Sequence, residues 1–168
     1  VSLWALNLKN RYENEKNIQL LSQYKDTVDR SSIVSKTDKY GKITYVNDKF
    51  CEISGYTYDE LIGKPHSLVR HPDMPSSVFE DLWKTIKSGR SWSGVVKNLT
   101  KDGRTYVVDT VINPITDADS NVVEYIGVRN DITELEAYKD LLKNELSSTK
   151  ETLQGNLKYI SQYEDAIN

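Results

Sequence analysis

Residues 55–75 read Gly-Tyr-Thr-Tyr-Asp-Glu-Leu-Ile-Gly-Lys-Pro-His-Ser-Leu-Val-Arg-His-Pro-Asp-Met-Pro and hold both histidines and three of the four prolines of the chain. Near the end of this tract Arg70, His71 and Asp73 cluster around Pro72. A fixed cation, an imidazole and a carboxylate at this spacing suit three roles: a catalytic constellation, a clamp on a ligand, or a structural knot. Catalysis is the weakest of them, because no serine or cysteine nucleophile is positioned beside the three. A structural knot would have Asp73 cap the helix that follows while Arg70 pairs with it. Two histidines and a distant Cys51 lack the ligand spacing of a zinc site.

The elements around this tract decide what it can do. Its prolines and glycines permit only short helical turns separated by bends. Yet Tyr56, Leu61, Ile62, Leu68, Val69 and Met74 are apolar enough to pack inward. An irregular segment that is also buried must find partners for its backbone groups, which makes it a costly connector but a reasonable cavity wall. Pro75 can start a helix over 75–88, with Val78, Leu82 and Ile86 on one stripe and Gly89 at its end. Strands are expected at 91–100, 104–116 and 122–130, joined by turns at 101–103 and 117–120. Earlier in the chain, 33–37 and 42–46 flank Asp38-Lys39-Tyr40-Gly41 and read as a hairpin. Asn47 or Asp48 then caps a short helix carrying Phe50, Cys51 and Ile53. Cys51 has apolar neighbours and no visible base, as a structural thiol would. In the first of the later strands Trp92, Gly94, Val96 and Asn98 share one parity and therefore one face. An indole, a gap left by glycine and a carboxamide on one face suit a flat ring with one hydrogen-bonding edge.

Asn47-Asp48-Lys49-Phe50, Ser54-Gly55-Tyr56-Thr57, Asp59-Glu60-Leu61-Ile62-Gly63 and Asp131-Ile132-Thr133 together resemble a PAS sensor domain. The tract Arg70-His71-Pro72-Asp73-Met74-Pro75, with Trp92-Ser93-Gly94 and Lys97-Asn98, resembles the subgroup typified by bacterial aerotaxis receptors. The resemblance implies an α+β fold: a five-stranded antiparallel sheet with short helices on one face. It also implies non-covalent FAD, with Asn47, Arg70, His71, Asp73, Trp92 and Asn98 as the candidate cofactor-binding residues. Arg70 would meet the pyrophosphate, which its planar fork suits better than lysine. Asn47 has helix capping, and Trp92 ordinary core packing, as the alternative role. Haem, which some PAS domains carry on one axial histidine, is the less favoured cofactor; His66 and His71 would be its ligands, but His71 lies in a polar tract. The cysteine-centred signature of photoadduct-forming flavin domains is absent.

Both ends of the chain lie outside the resemblance. Residues 1–30 read as a long helix. Its first eight residues, Val-Ser-Leu-Trp-Ala-Leu-Asn-Leu, precede Lys9 and Arg11. That order describes the cytoplasmic end of an upstream transmembrane helix, or equally an amphipathic helix packing on a partner. Residues 31–131 are the expected PAS domain. Residues 132–168 read as a helix with Ile132, Leu146, Leu153, Ile160 and Ile167 at one heptad position, interrupted by Lys139. Leu135, Leu142, Thr149, Asn156 and Tyr163 occupy the other, as in a parallel two-stranded coiled coil and hence a homodimer. Asp131, Ile132 and Thr133 would relay a signal from the last strand into this helix, with Asp131 and Glu134 forming a capping box. Ser22-Gln23-Tyr24-Lys25-Asp26-Thr27-Val28-Asp29 parallels Ser161-Gln162-Tyr163-Glu164-Asp165-Ala166-Ile167-Asn168, which predicts a second PAS domain following Asn168.

Composition narrows the class. A net charge of -3, with no face of clustered Lys/Arg and aromatics, argues against a nucleic-acid partner. The single cysteine excludes an internal disulfide and suits a reducing, cytoplasmic setting. An apolar fraction of 38% fits a modest core with polar helices attached. What the resemblance to aerotaxis receptors implies is a bacterial, non-enzymatic input module sensing redox state or oxygen through FAD. A PAS module for dimerisation and relay that holds no ligand, or holds haem or another small molecule, is the competing expectation.

Overall fold

A computed structural model describes residues 2–167, with backbone alone at Ala166 and Ile167. The expectations for Val1, for Ile167 in the heptad seam and for the last three residues of the terminal repeat lie outside what it describes. The chain divides into two units, one ending at Asp131 and one beginning at Ile132.

The first unit opens with α1 (Leu3–Ser31), which carries no buried residue along its length. Strand β1 (Ile33–Asp38) and strand β2 (Ile43–Val46) follow as an antiparallel hairpin. Asp38 shapes its turn by accepting at Oδ1 from the amides of Tyr40 and Lys42, both at 2.9 Å. Gly41 takes the left-handed conformation that the turn requires, φ 86°. Three short helical segments come next: α2 (Asp48–Ser54), α3 (Tyr58–Leu61) and a 3-10 turn (His66–Val69). Thr57 and Glu60 close a reciprocal capping box on α3. The bent tract expected from its prolines and glycines is therefore present. Helix α4 (Ser76–Lys87) follows it, then β3 (Trp92–Leu99), β4 (Thr105–Thr116) and β5 (Val122–Asp131).

The five strands form one antiparallel sheet in the order β2-β1-β5-β4-β3, so β1 and β5, distant in sequence, pair at its centre. Alternation sets which residues face inward. Ile33 and Ser35 on β1, Tyr106, Val108 and Thr110 on β4, and Tyr125 and Arg129 on β5 are all buried. The short helical segments and α4 supply Phe50, Leu61, Val69, Leu82 and Ile86 to the core beneath this face. Cys51 packs on its margin, and burial pushes its thiol upward, as befits a structural cysteine.

The second unit is α5 (Thr133–Ile167), one helix of 35 residues. Its side chains at Leu135, Leu142, Leu146, Leu153 and Ile160 are exposed. Among the described residues no helix is long and apolar enough to cross a membrane.

Candidate functional site

The sheet's inner face and the helical segments enclose a cavity of about 210 Å³. Its walls are mostly apolar: Val69, Leu82, Ile86 and Val96 line it, with Phe79 and Trp83 from α4. Polar side chains are set among them, including Ser35, His66, Arg70, Asn98, Thr110 and Arg129. Apolar walls around a few convergent polar groups are the usual make-up of a small-molecule site, although typical sites hold roughly 300–1,000 Å³.

Strand register explains how the polar groups meet. Thr110 on β4 stands opposite Arg129 on β5, and Ile112 opposite Gly127. Gly127 in turn stands opposite Ser35 on β1. Arg129 folds back over Gly127, where an added Cβ would sit 2.7 Å from Nη2. Only a glycine leaves that path open. The guanidinium then donates from Nη1 to Ser35 Oγ at 2.9 Å and to the Gly127 carbonyl at 3.3 Å. Nη2 lies 3.5 Å from His66 Nε2, which also hydrogen-bonds Ser35 Oγ at 2.9 Å. Arg129 is 7% exposed and each of these partners is neutral. A buried cation without a counter-charge is an expensive arrangement for stability alone.

Electrostatics follow from this packing. Burial pushes Arg129 down to about 10, so it stays cationic at neutral pH. Burial, and then the Arg129 charge, push His66 down to about 3, so its imidazole is neutral. Its Nε2 faces donors, which leaves the ring proton on Nδ1. Phe50 meets the imidazole edge-on, with ring centroids 5.6 Å apart. Across the cavity Asn98 donates its amide hydrogens to the carbonyls of Val69 and Lys97, at 3.2 and 3.1 Å. It also shares a hydrogen bond with Tyr106, whose phenol burial pushes up to about 12.

The six residues singled out in the sequence do not form one cluster. Arg70 and Asn98 line the cavity and are bridged through their backbones. The Arg70 guanidinium lies over the Phe79 ring, 3.5 Å from its centroid, and is not paired with Asp73. His71 Nδ1 accepts from the Asp73 amide at 3.1 Å, and the Asp73 carboxylate is 80% exposed. Asp73 does not cap α4: Pro75 holds the N-cap position, without a side-chain bond. The tract instead clings to the β3 edge, with the His71 amide donating to the Lys97 carbonyl and the Lys97 amide donating to Met74 Sδ.

Two of the residues, Trp92 and Asn47, make contacts within the fold and are not among those lining the cavity. Trp92 donates from Nε1 to Asp81 at 2.9 Å, and its indole occupies the space over Gly94. The gap read as room for a cofactor ring is filled by the tryptophan itself. Asn47 caps α2, accepting at Oδ1 from the amides of Phe50 and Val34. Its amide nitrogen donates to the carbonyls of Asp29 and Ser32, so the whole carboxamide is engaged away from the cavity. Asp131 ends β5 opposite Val108, and Thr133 begins α5. His66 Nε2 already faces Ser35 and a cation, which is unfavourable for an axial ligand to haem iron. Among the described residues no group of three metal-binding side chains comes together.

Ser35, Thr110 and Arg129 escaped sequence reasoning. The available signal was alternation along β5, where Arg129 shares the parity of Tyr125, combined with a glycine between them.

A five-stranded antiparallel sheet over a small cavity, with short helical segments packed on one face, is the architecture of a sensory module. The family model described as the PAS fold matches residues 43–129, and the chain belongs to that family. It is 43% identical over 108 residues to the aerotaxis receptor of Escherichia coli strain K12, covering 64% of this chain and 21% of that protein. It is 27% identical over 121 residues to the nitrogen fixation regulatory protein of Klebsiella pneumoniae, covering 71% and 24%. The chain thus spans about a quarter or less of these relatives, which are named as a receptor and a regulatory protein. Among solved structures, a light-oxygen-voltage domain studied with a flavin analogue superposes with a TM-score of 0.62 at 26% identity, covering 76% of this chain and 96% of that one. A PAS domain from Colwellia psychrerythraea gives 0.62 at 23% identity, covering 68% and 98%, and shares the fold.

Proposed function

We propose that this chain is the sensory input module of a bacterial signalling protein, holding FAD non-covalently in the cavity and responding to redox state or oxygen. The observation that carries the flavin reading is the cavity floor. A buried cation with neutral partners and a buried hydroxyl without one, Thr110 Oγ1, face a mostly apolar space. An electron-rich heteroaromatic ring fits that environment: its faces suit the apolar walls, and its carbonyl and ring-nitrogen edge suits the donors. FAD supplies reversible electron transfer when bound, and the protein's part is to hold, orient and electrostatically bias it. Arg129 and Thr110 would hold the ring edge, and Arg70 at the rim would meet the pyrophosphate. Asn98 would border the ring while remaining tied to Val69, Lys97 and Tyr106.

The module acts as a sensor and not an enzyme. Its signal leaves through Asp131, Ile132 and Thr133 into α5, which pairs with a second copy along the heptad seam. It works in the cytoplasm, in a parent protein anchored to the inner membrane upstream of Val1. A second PAS domain follows Asn168. The small cavity favours one other reading, a ligand-free module for dimerisation and relay. The visible absorption spectrum of the purified protein, reconstituted with FAD, separates the two. Flavin bands that co-elute with the protein are the expected result. A spectrum without them after reconstitution rejects the flavin reading, and a Soret band would establish haem instead.

A further inference from the structure

We propose that Thr110 is a ligand-contacting, specificity-determining residue: its hydroxyl, on the strand position opposite Arg129, donates to an acceptor atom of the bound ring. That acceptor is a carbonyl oxygen or an unprotonated ring nitrogen. The assignment rests on the flavin reading above and goes further, because it fixes what the cavity floor demands of its occupant.

Thr110 is 2% exposed and lines the cavity. Its Oγ1 is a buried side-chain atom with no hydrogen-bond partner among the described residues. Buried polar groups nearly always have one, so each exception needs a reason. The fold supplies none. Strand β4 needs a β-branched residue of this size between Val108 and Ile112, and valine would fill that space without a hydroxyl to desolvate.

The neighbours explain why the hydroxyl stays unpaired within the protein. On one side Thr110 stands opposite Gly94, which has no side chain and lies against the carbons of the Trp92 indole. On the other it stands opposite Arg129, whose guanidinium can only donate. Neither side offers an acceptor to the hydroxyl proton. The guanidinium commits Nη1 to Ser35 and Gly127 and turns Nη2 toward His66, with five hydrogens in all to place. The Thr110 hydroxyl therefore lacks an acceptor that the chain itself provides, while the guanidinium opposite has hydrogens left to place. A ring that presents only C–H edges would leave the hydroxyl unpaired, and a ring with a donor edge would oppose it. An acceptor-bearing ring satisfies it.

The test compares the full chain with Thr110→Val and Thr110→Ser in two measurements: thermal unfolding of the apoprotein, and the dissociation constant and absorption spectrum for FAD. Thr110→Val should unfold at the same temperature as the parent or higher, since it removes an unpaired buried hydroxyl. Its FAD dissociation constant should rise about tenfold, the equivalent of one lost hydrogen bond. Its flavin band should change shape, and Thr110→Ser should restore both affinity and spectrum. A Thr110→Val protein with the parent's affinity and spectrum overturns the assignment, because the hydroxyl would then meet only water. A loss of apoprotein stability in Thr110→Val also overturns it, by revealing a structural partner. A parent protein that takes up no FAD removes the flavin reading and this assignment with it, and that result appears before any variant is made.

Discussion

Acid should weaken this domain through His66 in particular. The folded protein holds this imidazole neutral, down to about pH 3, by burial and by the facing Arg129 cation, whereas an unfolded histidine titrates near 6.5. Between those values the unfolded chain binds a proton that the folded chain refuses. Stability therefore rises with pH across this window and is lost as pH falls below about 6.5. The slope is at most about 1.4 kcal/mol per pH unit, or about 3 kcal/mol over two units. Because His66 keeps partial exposure, that figure is an upper bound. The groups packed on the ring are Ser35, Arg129 and Phe50, and none of them can neutralise an imidazolium. The measurement is urea denaturation of the apoprotein at intervals from neutral pH into mild acid, for the parent and for His66→Gln. Glutamine can still bond Ser35 but binds no proton. Carboxylates held low by hydrogen bonds, such as Glu60, Asp102 and Asp117, add acid sensitivity of the same sign, but they are common to both proteins and cancel. The stability curves should converge as pH falls, the parent losing more. Parallel curves would refute the buried-imidazole argument.

Asn47→Ala should cost roughly 2–4 kcal/mol by urea denaturation, since it strips the α2 cap and strands the buried Val34 amide; a loss under about 1 kcal/mol would show those bonds are easily replaced. Gly94→Ala places a Cβ 2.6 Å from the Trp92 ring, which Asp81 tethers, so it should destabilise by about 1–3 kcal/mol. Unchanged stability there would mean the indole can swing aside. Cysteine at Leu146 in a Cys51→Ser background should form an intermolecular disulfide whose yield follows flavin redox state, and Asp131→Ala should abolish that dependence while flavin is retained. Equal redox response with and without Asp131→Ala removes Asp131 from the relay.

The fold was legible because its signals are local. A glycine-ended turn between two β-branched runs gave the hairpin, proline and glycine spacing gave the bent tract, and strand parity placed Trp92, Val96 and Asn98 inward. The site was legible only in part, because it depends on cross-strand register and on where a long side chain turns. Parity correctly set Gly94 on the inner face but could not show that the Trp92 indole folds into its gap. Asn47 combined the residue type of a ligand contact with that of a helix cap, and four hydrogen bonds assign it to the joint of α1, β1 and α2. Arg129 was passed over because an arginine near a strand end is ordinarily on the solvent face. Gly127 reverses that expectation by letting the guanidinium lie flat across the sheet, a relation between neighbours that single-residue propensities do not contain.

The position of Arg129 also limits how a ligand can act on this sheet. Strand β5 is paired along its length, with β1 on one side and β4 on the other, so its backbone cannot shift without breaking two ladders. The side-chain bonds above it are far softer. Arg129, Ser35 and His66 link β5, β1 and the 3-10 turn through three contacts of 2.9 to 3.5 Å. If an acceptor enters at this face, as proposed above, it would draw on the guanidinium hydrogens, and any that it took from Ser35 or His66 would loosen that contact. Binding of this kind would act first by exchanging hydrogen-bond partners at Arg129, next to the segment carrying His66. A ligand biases the protein only by its differential interaction with the two arrangements. Here the difference is which acceptor the buried cation holds.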